Sequence, residues 1–213
     1  MRPGPLRALL FDWDGTLADS AAASFRCYSR LFEAFRIAFD HERFESTYSP
    51  NWYRTYAAVG LPEERWSEAD ALWLEHYARE ECRLVPGAKE ALTRGLEAGL
   101  VQGLVTSGSR ERVARDLAAT GLSGFFRTVV CGEDARRPKP HPDAMILALE
   151  RLGVDRRHAA YVGDSPEDME MARAAGVYAV GVPGGFPNRE ALKLARPDIL
   201  AADLDEALTG LLS

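Results

Sequence analysis

Cysteine is scarce in this chain. Cys27, Cys82 and Cys131 are odd in number and far apart, which excludes a disulfide framework and a C-x-x-C metal signature. Positive charge is also in deficit. Lys and Arg number 26 against 32 Asp and Glu, a net charge of −6, with a pI near 5.3. Nucleic acids and anionic membranes are bound largely through phosphate neutralisation by Lys and Arg, so neither is the expected partner. No run approaches the roughly 20 apolar residues of a membrane span. The one short apolar run in "MRPGPLRALLF" suits a strand better than a signal peptide. Repeats and low-complexity tracts are missing as well. The expectation is a soluble, cytoplasmic protein with no nucleic-acid and no membrane partner; its oligomeric state is not readable.

What is present is ordinary globular material: 213 residues, 46% hydrophobic and 27% charged, enough for a substantial core. From about residue 86 onward, short apolar runs alternate with amphipathic stretches. "VQGLVT" (101–106), "FRTVVCG" (126–132), "AAYVGD" (159–164) and "VYAVGVP" (177–183) predict buried strands. Between them, "SRERVARDLAATG", "HPDAMILALERLG" and "SPEDMEMARAAG" start on Ser or on a polar residue with Pro, and stop at Gly. "RALLF" (7–11) supplies a first strand. Repeated strand–helix alternation predicts an α/β fold, a Rossmann-like doubly wound parallel sheet. Residues 18–85 break this rhythm. They predict helices at 24–35 and 68–80, with turns at "YSPNWY" and "GLP". The expected organisation is a core of residues 1–17 and 86–213 with an inserted α-helical cap at 18–85, the chain returning through "LVPGAKEALTRGLEAG" (84–99).

The residues with chemistry fall at strand ends, where an open parallel sheet forms its ligand crevice. Asp12 and Asp14 in "FDWDGTLADS" follow the first strand. Thr106, Ser107 and Gly108 follow the second, Lys139 sits in "RRPKPHPD", and Asp164 and Asp168 sit in "VGDSPEDME". Four acids, a hydroxyl and a lysine on one rim suit phosphoryl transfer. A phosphate ester repels a carboxylate, so a divalent cation must neutralise both. Mg²⁺ needs only one or two carboxylates beside the phosphate, and Asp12 and Asp164 can supply them. Unit charges about 4 Å apart interact by roughly 4 kcal/mol at an effective dielectric near 20, so a cation outweighs the repulsion between the acids. Lys139 adds positive charge at the phosphoryl oxygens, while the Thr106 hydroxyl and the N–H groups beside it, those of Ser107 and Gly108, can hold one of them.

In that order, "FDWDGTLADS", "LVTS", "RPKP" and "VGDSPEDMEMARAAG" resemble the four motifs of the haloacid dehalogenase-like hydrolases, and most closely their phosphoglycolate phosphatase-like members. The resemblance covers nearly the whole chain, including the cap after the first motif. It implies that Asp12 is the nucleophile, forming an aspartyl-phosphate, and that Asp14 is the acid and then the base. It further implies Mg²⁺ held by Asp12, Asp164 and the Asp14 carbonyl, with Asp168 in or next to that shell. Thr106 and Lys139 would grip the phosphoryl group. Gly15 gives the backbone freedom to turn after the acids.

Asp14 argues against a metal-free dehalogenase, and a cap without lysine argues against Schiff-base phosphonate cleavage. Two rivals remain, a sugar phosphomutase of the same superfamily and a phospho-accepting, receiver-like signalling module. The expected substrate is a small phosphorylated metabolite, phosphoglycolate-like or a sugar phosphate. Arg54 in "NWYRTY" falls where related caps face the substrate and would suit a carboxylate or second phosphate. Trp52, Tyr53 and His76 suit packing, Cys131 a buried strand-end thiol, and Gly184 and Gly185 a loop beside the site.

Overall fold

A computed structural model describes residues 4–213; residues 1–3, which open the expected core segment 1–17, lie outside the described residues. Six strands run parallel in the order β3-β2-β1-β4-β5-β6. They are β1 (Ala8–Phe11), β2 (Val101–Val105), β3 (Thr128–Val130), β4 (Ala159–Gly163), β5 (Tyr178–Gly181) and β6 (Ile199–Leu200). The first five match the expected apolar runs, each trimmed at one or both ends; β6 was not anticipated. β1 and β4 are buried throughout because helices cover both faces. Alternation along β1 sends Leu9 and Phe11 into one layer with Leu104, Val113 and Val162. Ala8 and Leu10 go into the other with Val105, Met145 and Tyr161.

Ten helices are described: α1 (Ala21–Ala34), α2 (His41–Thr47), α3 (Trp52–Ala58), α4 (Trp66–Tyr77), α5 (Ala88–Glu97), α6 (Arg110–Thr120), α7 (Asp143–Leu152), α8 (Pro166–Ala175), α9 (Arg189–Leu194) and α10 (Leu204–Leu212). α6, α7 and α8 stop at Gly121, Gly153 and Gly176, the glycines that closed the amphipathic stretches. α8 opens on a capping box in which Ser165 Oγ accepts from Asp168 N, while Asp168 accepts from Ser165 N.

α1 to α4 lie between β1 and α5 with no strand among them. The "YSPNWY" turn is shorter than expected, because the Asn51 side chain accepts from Tyr53 N and opens α3 at Trp52. These helices share an aromatic core that includes Tyr28, Phe32, Phe44 and Tyr56, joined by Phe186 from the loop after β5. The chain enters and leaves this segment side by side: Val85 N donates to Leu17 O at 2.9 Å and Asp19 N to Arg83 O at 2.8 Å.

Candidate active site

The direction of strand addition reverses between β1 and β4, the point where an open α/β sheet splits to make a crevice. Phe11 pairs with Val162 there, and Asp12 N donates to Val162 O at 2.9 Å. The next residues of the two strands therefore bring Asp12 and Asp164 to one spot, both buried. Lys139 reaches it from the loop before α7 and is 7% exposed. Its ammonium donates to Asp12 Oδ1, Asp168 Oδ1 and the Tyr161 hydroxyl, each at 2.7 Å. An ammonium has three donors, so all of them are used.

Asp168 is equally committed. Oδ1 accepts from Lys139 and from Tyr161 at 3.0 Å, and Oδ2 from Ser165 N at 3.1 Å and Ser165 Oγ at 2.7 Å. Asp164 is the opposite case: its Oδ2 is buried with no hydrogen-bond partner. Burial drives the Asp164 pKa well above the usual carboxylate range, and Asp168 and Asp12 add to the effect. Burial likewise pushes Asp12 up to about 7, against the pull of Lys139 and with a further push from Asp168 and Asp14.

Carboxylate oxygens of Asp12, Asp164 and Asp168 lie within 4.8 Å of one another. The space round the unpartnered oxygen is kept open by glycines. A Cβ on Gly15 would sit 2.3 Å from Asp164 Oδ2, and one on Gly184 would sit 2.5 Å from it and 2.6 Å from Gly15 O. Gly15 also has φ +81, a backbone that side chains resist. An orphaned buried carboxylate oxygen in an all-oxygen, glycine-walled cradle fits a hard divalent cation. Asp12 and Asp164 have lone pairs left for it; the Asp168 carboxylate has its oxygens engaged by protein donors.

Asp14 faces the same cavity but is held differently. The Arg112 guanidinium donates to both of its oxygens, Nη1 to Oδ1 at 3.0 Å and Nη2 to Oδ2. Burial alone would raise the Asp14 pKa, but Arg112 outweighs it and keeps the carboxyl below its ordinary value. Arg112 is itself buried, lies 3.6 Å from Asp116 and packs over the rings of Tyr77 at 4.9 Å and Trp73 at 6.0 Å. Gly108 makes room for it: a Cβ there would fall 2.2 Å from Arg112 Nη2. Gly108 N donates to Thr106 Oγ1 at 3.0 Å, which fixes the Thr106–Gly108 turn beside the acids.

Asp12, Asp14, Thr106, Ser107, Gly108, Lys139, Asp164 and Asp168 all line one cavity of about 220 Å³. Arg54 does not. Its side chain is 64% exposed and its guanidinium lies 3.8 Å from Glu167. Gly184 stands beside Asp164 as the sequence suggested, and Cys131 is a buried thiol at the end of β3. Two residues escaped the sequence reading. Tyr161 carries the only hydroxyl in the run "AAYVG", and a buried phenol requires a partner; that was the available signal. Arg112 and Asp116 share the buried face of α6 with Val113 and Leu117, so opposite charges one turn apart on an apolar stripe were its signal.

A parallel α/β sheet with acids, a hydroxyl and a lysine gathered at its carboxyl edge defines an enzyme of the phosphoryl-transfer class. The sequence profile of the haloacid dehalogenase-like hydrolases matches residues 9–182, and the chain belongs to that family. Within it the chain is a phosphatase, a phosphoric monoester hydrolase. It is 30% identical to a phosphoglycolate phosphatase of Escherichia coli over 233 aligned positions, covering 97% of this chain and 92% of the relative. It is 27% identical to the pyrophosphatase PpaX of Oceanobacillus iheyensis, with 96% of each chain covered. Among solved structures, CbbY from Rhodobacter sphaeroides in complex with phosphate superposes with a TM-score of 0.80 at 25% identity, covering 94% of this chain and 96% of that one. Among the described residues no helix is long and apolar enough to cross a membrane.

Proposed function

We propose that the enzyme hydrolyses a small phosphate monoester through an aspartyl-phosphate on Asp12, with Mg²⁺ as cofactor. The carrying observation is the pairing of a lysine-anchored Asp12 with the unpartnered buried oxygen of Asp164. Asp12, Asp164 and the Asp14 carbonyl would hold the cation. Bound there, it would neutralise the ester's charge and lower the repulsion that Asp12 meets.

Lys139 fixes Asp12 through Oδ1, which leaves Oδ2 to attack phosphorus. The Thr106 hydroxyl and the Ser107 N–H hold a phosphoryl oxygen, in the turn that the Gly108 N–H fixes by donating to Thr106 Oγ1. Asp14 gives a proton to the departing alcohol oxygen, then takes one from the water that cleaves the aspartyl-phosphate. The clasp of Arg112 favours the base form of Asp14, so protonating Asp14 for the acid step works against that ion pair. Asp168 acts by orienting Lys139 rather than by direct coordination.

Residues 18–85 work as a lid over a core formed by 1–17 and 86–213. Three contacts across the cleft support this: Tyr48 stacked on Phe186 at 4.5 Å, Arg112 over Tyr77, and Arg54 near Glu167. Phosphate release from a panel of monoesters tests the reading. EDTA should stop it and Mg²⁺ restore it; turnover indifferent to chelation overturns the cation assignment. Stoichiometric orthophosphate separates hydrolysis from return of the phosphoryl group to a sugar.

A further inference from the structure

The helical segment's share of the cavity wall includes Tyr28, Tyr48, Trp52, Tyr56 and Trp73, and its one charged group is Asp70 of α4. Both Asp70 oxygens accept from phenols, Oδ2 from Tyr53 at 2.9 Å and Oδ1 from Tyr56 at 3.2 Å; burial raises its pKa and these two hydrogen bonds pull it back down.

Among the described residues lining the cavity, the cations are Lys139 and Arg112. Lys139 has spent its donors on Asp12, Asp168 and Tyr161, and Arg112 is clamped on Asp14. Arg54, the cation that the sequence offered for a carboxylate or second phosphate, lies outside. A glycolate or pyrophosphate leaving group would therefore put its negative charge beside Asp70 with no free cation to meet it. Like charges forced together are what a specific site uses to reject a ligand. Aromatic faces round a carboxylate favour the opposite sign, because the ring quadrupole and the acid both attract an ammonium.

We propose that the leaving group of the natural substrate is an ammonium-bearing alcohol, primary or quaternary, received by Asp70 and the aromatic walls. The inference rests on the phosphatase reading above and leaves its chemistry unchanged. The P–O bond to the ammonium alcohol breaks, water supplies the replacing oxygen, and the free alcohol and orthophosphate depart. A cavity of about 220 Å³ limits that alcohol to a few heavy atoms; drug-sized ligands occupy roughly 300–1,000 Å³.

The test compares phosphoethanolamine, phosphocholine, phosphoglycolate and the uncharged aryl ester p-nitrophenyl phosphate, with Mg²⁺, in the wild type and in Asp70→Asn. The expected result is kcat/KM for an ammonium ester about tenfold or more above that for phosphoglycolate. Asp70→Asn should remove that advantage while leaving the aryl ester within about twofold; the two ammonium esters decide between a primary and a quaternary head. Equal or better turnover of phosphoglycolate overturns the inference, as does an Asp70→Asn loss shared by all esters. If the aryl ester itself releases no phosphate, the phosphatase reading fails instead. Tryptophan fluorescence titration of Asp12→Asn with phosphocholine and phosphoglycolate then still reads the inference: tighter phosphocholine binding supports it, and tighter phosphoglycolate binding overturns it.

Discussion

At the sheet edge Lys139 fills each of its donors with Asp12, Asp168 and Tyr161, whereas in the helical wall of the cavity two phenols meet a lone carboxylate, Asp70, among aromatic rings. The first arrangement comes from strand ends locked in register and has almost no slack. The second comes from short helices held by ring packing, where a change of one ring reshapes the pocket without disturbing the sheet. Chemistry common to all monoesters belongs on the rigid side, and recognition of the leaving group belongs on the other.

The largest effect expected is from Asp12→Asn, which removes the nucleophile. Turnover should fall by about 10⁴-fold or more while circular dichroism stays unchanged; retained turnover breaks the assignment. Lys139→Met leaves Asp12 and Asp168 buried without their counter-ion. It should cost about 3–5 kcal/mol of stability in denaturant titration, as well as most activity. Gly108→Ala places a methyl against the Arg112 guanidinium, so kcat should fall by about 10²-fold, with less loss in Arg112→Lys. A milder step is Phe186→Leu, which deletes the ring stacked on Tyr48. Loss of about 0.5–1.5 kcal/mol should appear as a several-fold rise in KM. The smallest is Arg54→Ala. A 64% exposed arginine with a 3.8 Å ion pair should change kcat/KM by less than about twofold; a large loss would move substrate recognition back to this residue.

The same contrast governs what could be read from sequence. β1, β2, β4 and β5 were legible because strands buried on both faces are continuous apolar runs. The strand-end acids were legible because the chain places them directly after those runs. β6, with two residues, and α9, with six, are too short to show a period. α2 and α3 were hidden because their starts depend on side-chain caps, Asp40 to Arg43 N and Asn51 to Tyr53 N, rather than on an apolar stripe. The Arg112 clasp joins positions 98 apart in sequence, and no local pattern announces a contact that only the fold creates. Asp70 is the same kind of case: nothing beside it in "SEADALW" says that two tyrosines from another helix will point at it.

The claim on which the rest depends is that Asp12 carries the phosphoryl group during turnover. Rapid acid quench of the enzyme hydrolysing p-nitrophenyl phosphate, followed by peptide mass spectrometry, tests it directly. A phosphoryl adduct on Asp12, lost in Asp12→Asn, is the predicted result. Steady phosphate release with the adduct on another residue, or with no adduct at any quench time, would contradict the account.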